Sequence, residues 1–127
     1  MKKYFLILLL FVSCKFDVKQ EDLVGKWTYT KYESLNKSSE GLVDLEEQKP
    51  YIVFKSNGDC KIYSSGRLLS KGTFTLENKI IRYEEVLGDG VKRKIPFLIK
   101  ELEGNQLVFE TMDAEVKRIT ALKNKKL

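Results

Sequence analysis

The sequence contains no histidine, and its 127 residues include only two cysteines, two prolines and one tryptophan. Without histidine there is no Ser-His-Asp or Cys-His centre, no imidazole general base and no histidine metal ligand. Two thiols are too few for a four-cysteine metal site within one chain. The GxGxxG, P-loop and HExxH patterns are also missing. We therefore expect no enzyme, no cofactor, and no catalytic or metal-ligating residues.

Basic residues exceed acidic ones only moderately, at 23 against 18, which gives a net charge of +5. The two signs are interleaved, and the one compact basic cluster is Lys92-Arg93-Lys94. A cluster this short is more often a solvated strand face than a phosphate site. We therefore expect no nucleic-acid partner. The length of the chain suits a single domain.

The long apolar run of the sequence lies at the N-terminus, where Lys2 and Lys3 precede residues 4–12, YFLILLLFV. This run is too short to span a bilayer, which takes about 20 residues as a helix. A basic start followed by a short apolar core is typical of a secretory signal. Charged residues follow from Lys15 to Asp22, so a buried helix that ends in Cys14 is the weaker interpretation.

Ser13-Cys14 at the end of this run resembles the lipobox of bacterial lipoproteins, whose signal is cut just before the cysteine. The resemblance implies a signal peptide at residues 1–13, lipid attachment to Cys14 and an acylated tether at residues 14–22. More than one acyl chain gives stable anchoring to a membrane. We expect a lipid-anchored protein of the cell envelope. The outer membrane is preferred because Lys15-Phe16 is not an aspartate-led start, and the periplasmic and surface faces both stay open.

Cys60 lies in the stretch GDCKIY, on a predicted strand. A disulfide with Cys14 would be natural in an oxidising compartment, but acylation of Cys14 excludes it. We therefore predict that Cys60 packs as a small apolar residue. The alternative is a reactive thiol, which would lack a histidine to activate it.

From Leu23 onward, apolar and polar residues alternate in short runs that turn residues separate, as antiparallel strands do. Asn57-Gly58 is the clearest hairpin turn, because both residues tolerate a positive φ. Pro96 indicates a strand edge or a bulge, and residues 44–48 indicate a helical turn. The predicted strands are residues 23–34, 50–56, 60–65, 68–76, 80–86, 91–102, 106–111 and 115–122.

Eight successive strands joined by short turns predict an all-β fold, an antiparallel up-and-down β-barrel over residues 23–122. A β-sandwich is the alternative, but it usually needs long crossing connections. Residues 123–127 are then a short basic tail. Alternation predicts the side chains that face inward, which include Trp27, Tyr29, Ile52, Phe54, Phe74, Leu76, Ile81, Tyr83, Ile95, Phe97, Leu107 and Phe109.

Gly25-x-Trp27 at the start of the first predicted strand resembles the lipocalin signature. The later stretches IVFKSNGDCKIY, KGTFTL, LVFET and VKRI are similar to small bacterial lipocalin-like domains, which often occur in lipoproteins. The resemblance implies that Trp27 lies across the closed end of the barrel. It also implies that Arg118, on the last strand, packs over the Trp27 ring as a barrel-closing pair.

Two functions remain open at this level. The resemblance implies a barrel that binds a small apolar molecule or lipid, with ligand-binding residues that the sequence does not identify. An eight-stranded barrel is also narrow enough to be filled by its own side chains. The alternative is therefore a tethered structural or interaction domain that recruits an envelope protein partner through loops such as residues 34–49. Adjacent pairs such as Glu84-Glu85 point to opposite faces of a strand and form no carboxylate dyad.

Overall fold

The computed structural model describes residues 18–35, 45–113 and 115–124. Within these ranges, eight antiparallel strands form a closed barrel, and each strand pairs with its neighbours in sequence order. Two one-turn helices accompany the barrel, α1 (Gln20–Leu23) and α2 (Leu45–Gln48). The strands are β1 (Gly25–Ser34), β2 (Tyr51–Phe54), β3 (Asp59–Ser64), β4 (Arg67–Glu77), β5 (Ile80–Val86), β6 (Lys92–Glu103), β7 (Gln106–Thr111) and β8 (Lys117–Lys123).

The predicted fold class is confirmed, because the eight strands meander and the last one pairs with the first. This closure excludes the sandwich and leaves no free edge around the sheet as a whole. The β2–β3 turn falls at Asn57-Gly58, where Gly58 has a φ of +98°. The Asn57 side-chain oxygen accepts a hydrogen bond from the Asp59 backbone amide at 3.0 Å, which fixes the turn.

The interior of the barrel contains every side chain that alternation predicted, together with Leu23, Ile99, Ile119 and Ala121. Tyr29, Leu76 and Ile95 are partly buried, and the other predicted inward residues are buried. Cys60 belongs to the same core, as predicted. Burial of apolar area on this scale is the main source of stability for such a barrel.

Aromatic rings fill the middle of the barrel from one wall to the other. The Tyr83 and Phe97 rings stack with their centroids 6.3 Å apart, and Phe97 meets Phe109 edge to face at 5.2 Å. Phe109 meets Tyr29 in the same way at 6.2 Å, so that the chain of contacts crosses from β5 to β1. These distances lie in the favourable range for aromatic pairs. The centre of the barrel is therefore packed by its own side chains.

The strand register defines two ends of the barrel. The Trp27 end contains the start of β1, where Trp27 lies opposite Lys123, and the turns at residues 55–58, 78–79 and 104–105. The open end contains Leu35 after β1, the turns at residues 65–66 and 87–91, and the β7–β8 connection.

Pro96 lies in an unbroken stretch of the β5–β6 ladder, opposite Arg82. The bulge of β6 comes later, between Ile99 and Glu101. Pairing with β7 begins only at Phe97, so Pro96 has a neighbouring strand on one side alone. Of the two predicted settings, Pro96 thus occupies a local edge, where its missing N–H removes no ladder hydrogen bond.

The described part of the predicted tether is folded against the barrel. Val18 packs on the core, and α1 places Leu23 in it with no exposed surface. The Lys19 backbone amide donates to the Asp22 carboxylate at 3.0 Å, which satisfies an amide at the start of the helix. Cys14 and the predicted signal at residues 1–13 lie outside the described residues. Across the described residues, no helix combines the length and the apolar character needed to cross a bilayer.

Candidate functional site

A polar network lies inside the barrel at the open end. The Arg93 guanidinium donates to one Glu85 carboxylate oxygen from Nε at 3.1 Å and from Nη2 at 2.8 Å. The Ser70 hydroxyl donates to the other carboxylate oxygen at 2.6 Å. Because the Ser70 proton is used in this way, its oxygen accepts the proton of the Tyr83 hydroxyl, 2.5 Å away. Glu85 is only 8% exposed, so these bonds compensate the burial of its charge.

The strands bring these four side chains together through their period of two. Tyr83 and Glu85 follow Ile81 on the inner face of β5, and Arg93 lies directly opposite Glu85 on β6. Ser70 precedes Gly72, which pairs with Glu85, so it lies on the same face of β4. A side chain on Gly72 would collide with the Glu84 backbone oxygen. Glycine at this position therefore allows β4 to approach β5 closely beside the network.

A groove of about 490 Å³ opens beside this network, between β4 and the turn that follows β5. Its volume lies within the ordinary range for sites that hold small molecules. Ser70 and Glu85 supply its polar floor, and Lys71 borders it. We call this feature the rim groove. Its apolar lining consists of Leu68, Leu69, Val86 and Leu87.

A second depression, of about 320 Å³, lies on the outer wall across β4, β5 and β6. Its lining includes the outward side chains of Thr73, Thr75, Arg82, Glu84 and Lys94. Ile95 and Pro96 also line it, but three charged side chains border this depression, whereas the rim groove combines four apolar side chains with a buried carboxylate. The rim groove is therefore the better candidate site.

Three ionisable groups in the interior of the barrel, below the rim groove, have raised pKa values. Burial raises the pKa of the Tyr29 hydroxyl well above its usual value, and the nearby Cys60, Tyr32 and Tyr83 raise it further. Burial likewise raises the pKa of Tyr83 to about 12, although its hydrogen bond with Ser70 opposes this shift. Burial raises the pKa of the Cys60 thiol to about 12. At neutral pH the two tyrosine hydroxyls and the Cys60 thiol are therefore uncharged.

The Trp27 end is closed by the indole ring and α1. Trp27 is fully buried, and its Nε1 donates to the Leu23 backbone oxygen at 2.8 Å. This bond satisfies the buried indole N–H and fixes α1 across the barrel floor. The Lys123 ammonium lies over the Trp27 ring, 5.5 Å from its centroid, within range of a cation–π interaction.

The expected pairing of Arg118 with Trp27 needs correction, because the structure does not bring these residues together. Ile119 and Ala121 are buried on the inner face of β8, so Arg118 points outward. It lies opposite Glu110 on β7 and donates from Nε to the Glu110 carboxylate at 2.9 Å. Lys123, which lies opposite Trp27, occupies the position that the resemblance assigned to Arg118.

Gly25 of the Gly-x-Trp motif has two local functions at the Trp27 end. Its φ of +140° is a conformation that residues with side chains rarely adopt. A Cβ at this position would also lie 2.7 Å from Lys123 Cε. The missing side chain therefore leaves the space through which Lys123 reaches the Trp27 ring.

Sequence reasoning did not identify the network of Glu85, Arg93, Ser70 and Tyr83. It did assign Glu84 and Glu85 to opposite faces, which is confirmed, because Glu85 is buried and Glu84 is half-exposed. The alternation Ile81-x-Tyr83-x-Glu85 indicates that the Glu85 carboxylate faces inward, like the side chains of Ile81 and Tyr83. Within the described residues, no group of three or more Cys, Asp and Glu residues has a geometry that could hold a metal ion.

The comparison with known proteins adds no family assignment to this geometry. No model of a known protein family matches the chain, and no curated protein matches its sequence. The eight-stranded antiparallel barrel is compatible with a lipocalin-like fold, and that architecture is what the structure itself establishes.

Proposed function

We propose that this chain is a membrane-anchored lipoprotein whose lipocalin-like barrel binds a small apolar molecule or lipid in the cell envelope. In this proposal, residues 1–13 are a signal peptide, and Cys14 becomes the acylated first residue of the mature protein. The outer membrane is the proposed location. The resemblance of Ser13-Cys14 to a lipobox supports the anchor, and the rim groove supports the binding function.

The observation that carries the binding proposal is the composition of the rim groove. Apolar walls at Leu68, Leu69 and Val86 lie beside a polar floor at Ser70 and Glu85. Small-molecule sites commonly have such a combination, in which apolar contact supplies affinity and a few polar groups fix orientation. An aliphatic chain against the leucines, with one polar group near the floor, matches this lining.

The polar floor also limits what the ligand can offer. Both Glu85 oxygens accept hydrogen bonds from Arg93 and Ser70, yet each carboxylate oxygen can accept more than one bond. The Lys71 ammonium at the border is a donor only. A hydroxyl, amide or carboxyl group on the ligand would find a donor or an acceptor there. A fully apolar molecule would use the walls alone.

Native mass spectrometry of the full-length protein, released by mild detergent from its own host, tests the binding function. We expect an additional mass on the wild-type protein and a reduced fraction of it on Val86→Gln, which places a polar side chain in the groove wall. Leu122→Gln is the matched control, because this leucine is exposed on β8 outside the groove. A wild-type protein without any bound molecule, or equal loss in both variants, would contradict the proposal.

The anchor has a separate test. Cys14→Ala in the host should abolish metabolic labelling by a fatty-acid analogue and shift the protein from the membrane fraction to the soluble fraction. Cys60→Ala is the control, since its thiol is buried in the barrel and is not available for acylation. A Cys14→Ala variant that stays labelled would show that the anchoring proposal is wrong.

A tethered interaction domain without a ligand remains the second candidate. The specific observation that favours it is the aromatic chain from Tyr83 through Phe97 and Phe109 to Tyr29, which occupies the barrel centre. Such a barrel would act through its exposed surfaces and carry nothing in its interior. Recovery of an envelope protein by cross-linking, together with no co-purifying small molecule, would favour this function over the first.

A further inference from the structure

Exposed apolar side chains are concentrated at the open end of the barrel. Of the seven large apolar residues that are exposed in the described ranges, only Leu122 lies away from this end. Leu69 is the most exposed at 67%, and Val91 follows at 54%. Large apolar residues grouped on one surface mark an interaction site more often than residues scattered singly. The six residues at the open end are Leu35, Leu68, Leu69, Val86, Val91 and Met112.

Leu69 projects because of a local irregularity in β4. The register of β3 with β4 shifts between Ile62 and Tyr63, which pair with Ser70 and Leu68 respectively. Leu69 is the extra residue of this bulge and has no partner on β3. Bulges of this kind redirect a side chain and often lie at barrel rims beside functional sites. The most exposed apolar side chain is thus held by the backbone in an outward position.

Cations flank these apolar residues. Arg67 and Lys71 enclose the two leucines in the sequence RLLSK, and Lys92 follows Val91. None of these three cations forms an ion pair with another residue in the described part of the chain. Arg93 is paired with Glu85, and the Asp89 carboxylate accepts the Val91 amide of its own turn. An amide hydrogen bond leaves the Asp89 charge in place, so the turns at residues 65–66 and 87–91, with the strand residues beside them, carry three unpaired cations against one free carboxylate. The local excess of positive charge therefore lies beside Leu68, Leu69 and Val91, whereas Asp113 follows Met112.

Apolar side chains interspersed with unpaired cations suit the surface of a bilayer that contains anionic lipids. The apolar groups enter the boundary between headgroups and acyl chains, while lysine and arginine remain among the headgroups. An acidic protein surface would match the charge but would not need a leucine that is 67% exposed and held outward by a bulge. We therefore consider an anionic bilayer to be the occupant of the rim.

The rim and the point where the described chain begins, at Val18, lie at opposite ends of the barrel. The chain enters the barrel through Val18 and α1 at the Trp27 end. Four residue steps separate Cys14 from Val18, which span at most about 14 Å when fully extended. A strand of ten residues in a tilted barrel rises by roughly 25 Å. If Cys14 is the anchor, as proposed above, its link is too short to turn the rim back onto the same bilayer.

We propose that the open rim docks on an anionic lipid bilayer that faces the membrane carrying Cys14. The protein would thereby join two lipid surfaces, with its Trp27 end towards one and its rim towards the other. The proposal rests on the proposed function only for the anchor at Cys14. The apolar and basic composition of the rim is independent of that anchor.

Vesicle clustering tests this proposal on the full chain. The lipoprotein is incorporated through its own anchor into neutral phosphatidylcholine vesicles that carry a fluorescent donor lipid. Vesicles with an acceptor lipid are then added, either neutral or containing phosphatidylglycerol. We expect energy transfer only with the phosphatidylglycerol vesicles. We also expect its loss at an ionic strength of about 1 M, where the Debye length falls to about 3 Å.

Two pairs of substitutions separate the apolar and electrostatic contributions. Leu68→Ser combined with Leu69→Ser should raise the acceptor concentration for half-maximal clustering by at least about tenfold, because two apolar side chains no longer enter the bilayer. Arg67→Gln combined with Lys71→Gln should raise it by about tenfold or more. Leu122→Ser and the pair Lys55→Gln with Lys100→Gln are matched controls from outside the rim and should behave as wild type. Circular dichroism confirms that each variant is folded.

Flotation of the donor vesicles distinguishes the two proposals. Protein that separates from the donor vesicles would contradict the anchor, and with it the joining of two membranes. Protein that stays in the donor vesicles but does not cluster phosphatidylglycerol vesicles would contradict the rim proposal and leave the anchor intact. Equal clustering by wild type and both rim variants would overturn it as well.

Discussion

The two ends of the barrel cover the hydrophobic core in different ways. At the Trp27 end, the core is covered by a buried ring, a helix and a lysine side chain laid across the ring. At the open end, the core is covered by hydrogen bonds between Tyr83, Ser70 and Glu85, and most of the exposed apolar side chains of the described residues surround it. The first arrangement buries the ring and leaves outside it a depression of about 350 Å³ that is bordered by the charged side chains of Glu21, Asp22 and Lys123. The second leaves a groove with apolar walls and an exposed apolar rim.

This difference teaches where stability and binding reside in a small barrel. A packed apolar closure stabilises the fold through buried area, which does not depend on the ionisation of a side chain. A polar closure compensates its own desolvation and contributes less, but it can exchange partners with a ligand or a surface. Substitutions at the Trp27 end should therefore change stability most, and those at the open end should change binding most.

Trp27→Ala should have the largest effect on the free energy of unfolding. The substitution removes a fully buried ring and its hydrogen bond to Leu23, and changes of this kind cost about 3–5 kcal/mol. Urea unfolding followed by circular dichroism measures the loss. Leu122→Ala, at an exposed position, should change the same quantity by less than about 0.5 kcal/mol. A cost below 1 kcal/mol for Trp27→Ala would contradict the structural importance of this end.

Stability should fall in alkaline solution because of groups between the two ends. The Cys60 thiol has a pKa of about 12 in the fold against an ordinary value of 9.0. The unfolded chain therefore loses this proton first, and the free energy of unfolding decreases from about pH 9 until the folded thiol also ionises. By pH 10.5, Cys60 alone should account for about 2 kcal/mol. Unfolding curves at pH 8 and pH 10.5 should show a smaller difference in Cys60→Ala than in wild type.

Glu85→Ala tests the polar closure of the open end. The substitution leaves Arg93 and Ser70 without their common acceptor, which should cost about 1–3 kcal/mol. Arg93 is 62% exposed along its side chain, so water can replace its lost partner in part. Glu84→Ala, on the outer face of the same strand, is the matched control and should be nearly neutral. If both substitutions have equal effects in urea unfolding, the network does not stabilise this end.

Lys123→Gln should have the smallest effect of these four, at about 0.5–1 kcal/mol, because it removes one cation from the Trp27 ring. The emission spectrum of Trp27 should shift as well, since a nearby charge is lost. Arg118→Gln is the control, because this side chain pairs with Glu110 on the outer face. A shift in tryptophan emission with Arg118→Gln and none with Lys123→Gln would restore the original pairing hypothesis.

The sequence predicts the strands well because alternation and turn residues act locally. Six of the seven connections between successive strands are short, so neighbours along the chain are neighbours in the sheet. The site is harder to predict, because it depends on register and on bulges. The bulge between Tyr29 and Lys31 shifts the pairing of β1 with β8, so counting along β1 alone does not locate the partner of Trp27.

Two particular residues show that a charged side chain in the sequence does not by itself predict exposure to solvent. Glu85 follows Ile81 and Tyr83 in the inward row, but an acidic residue is ordinarily assigned to solvent. Its burial becomes intelligible only when Arg93 and Ser70, from two other strands, are seen beside it. Lys123 falls at the last position of β8, which the sequence assigns to a basic tail. Its function follows from the register, which places it opposite Trp27.

The buried thiol of Cys60 has a practical consequence. If Cys14 carries lipid, Cys60 is the only free thiol of the mature chain, and it lies in the core where reagents do not reach it. Its rate of modification by a thiol reagent then reports how often the barrel opens, without any added label. Cys60 is therefore an intrinsic probe of barrel opening, and its rate of modification can be measured in the membrane as well as in solution.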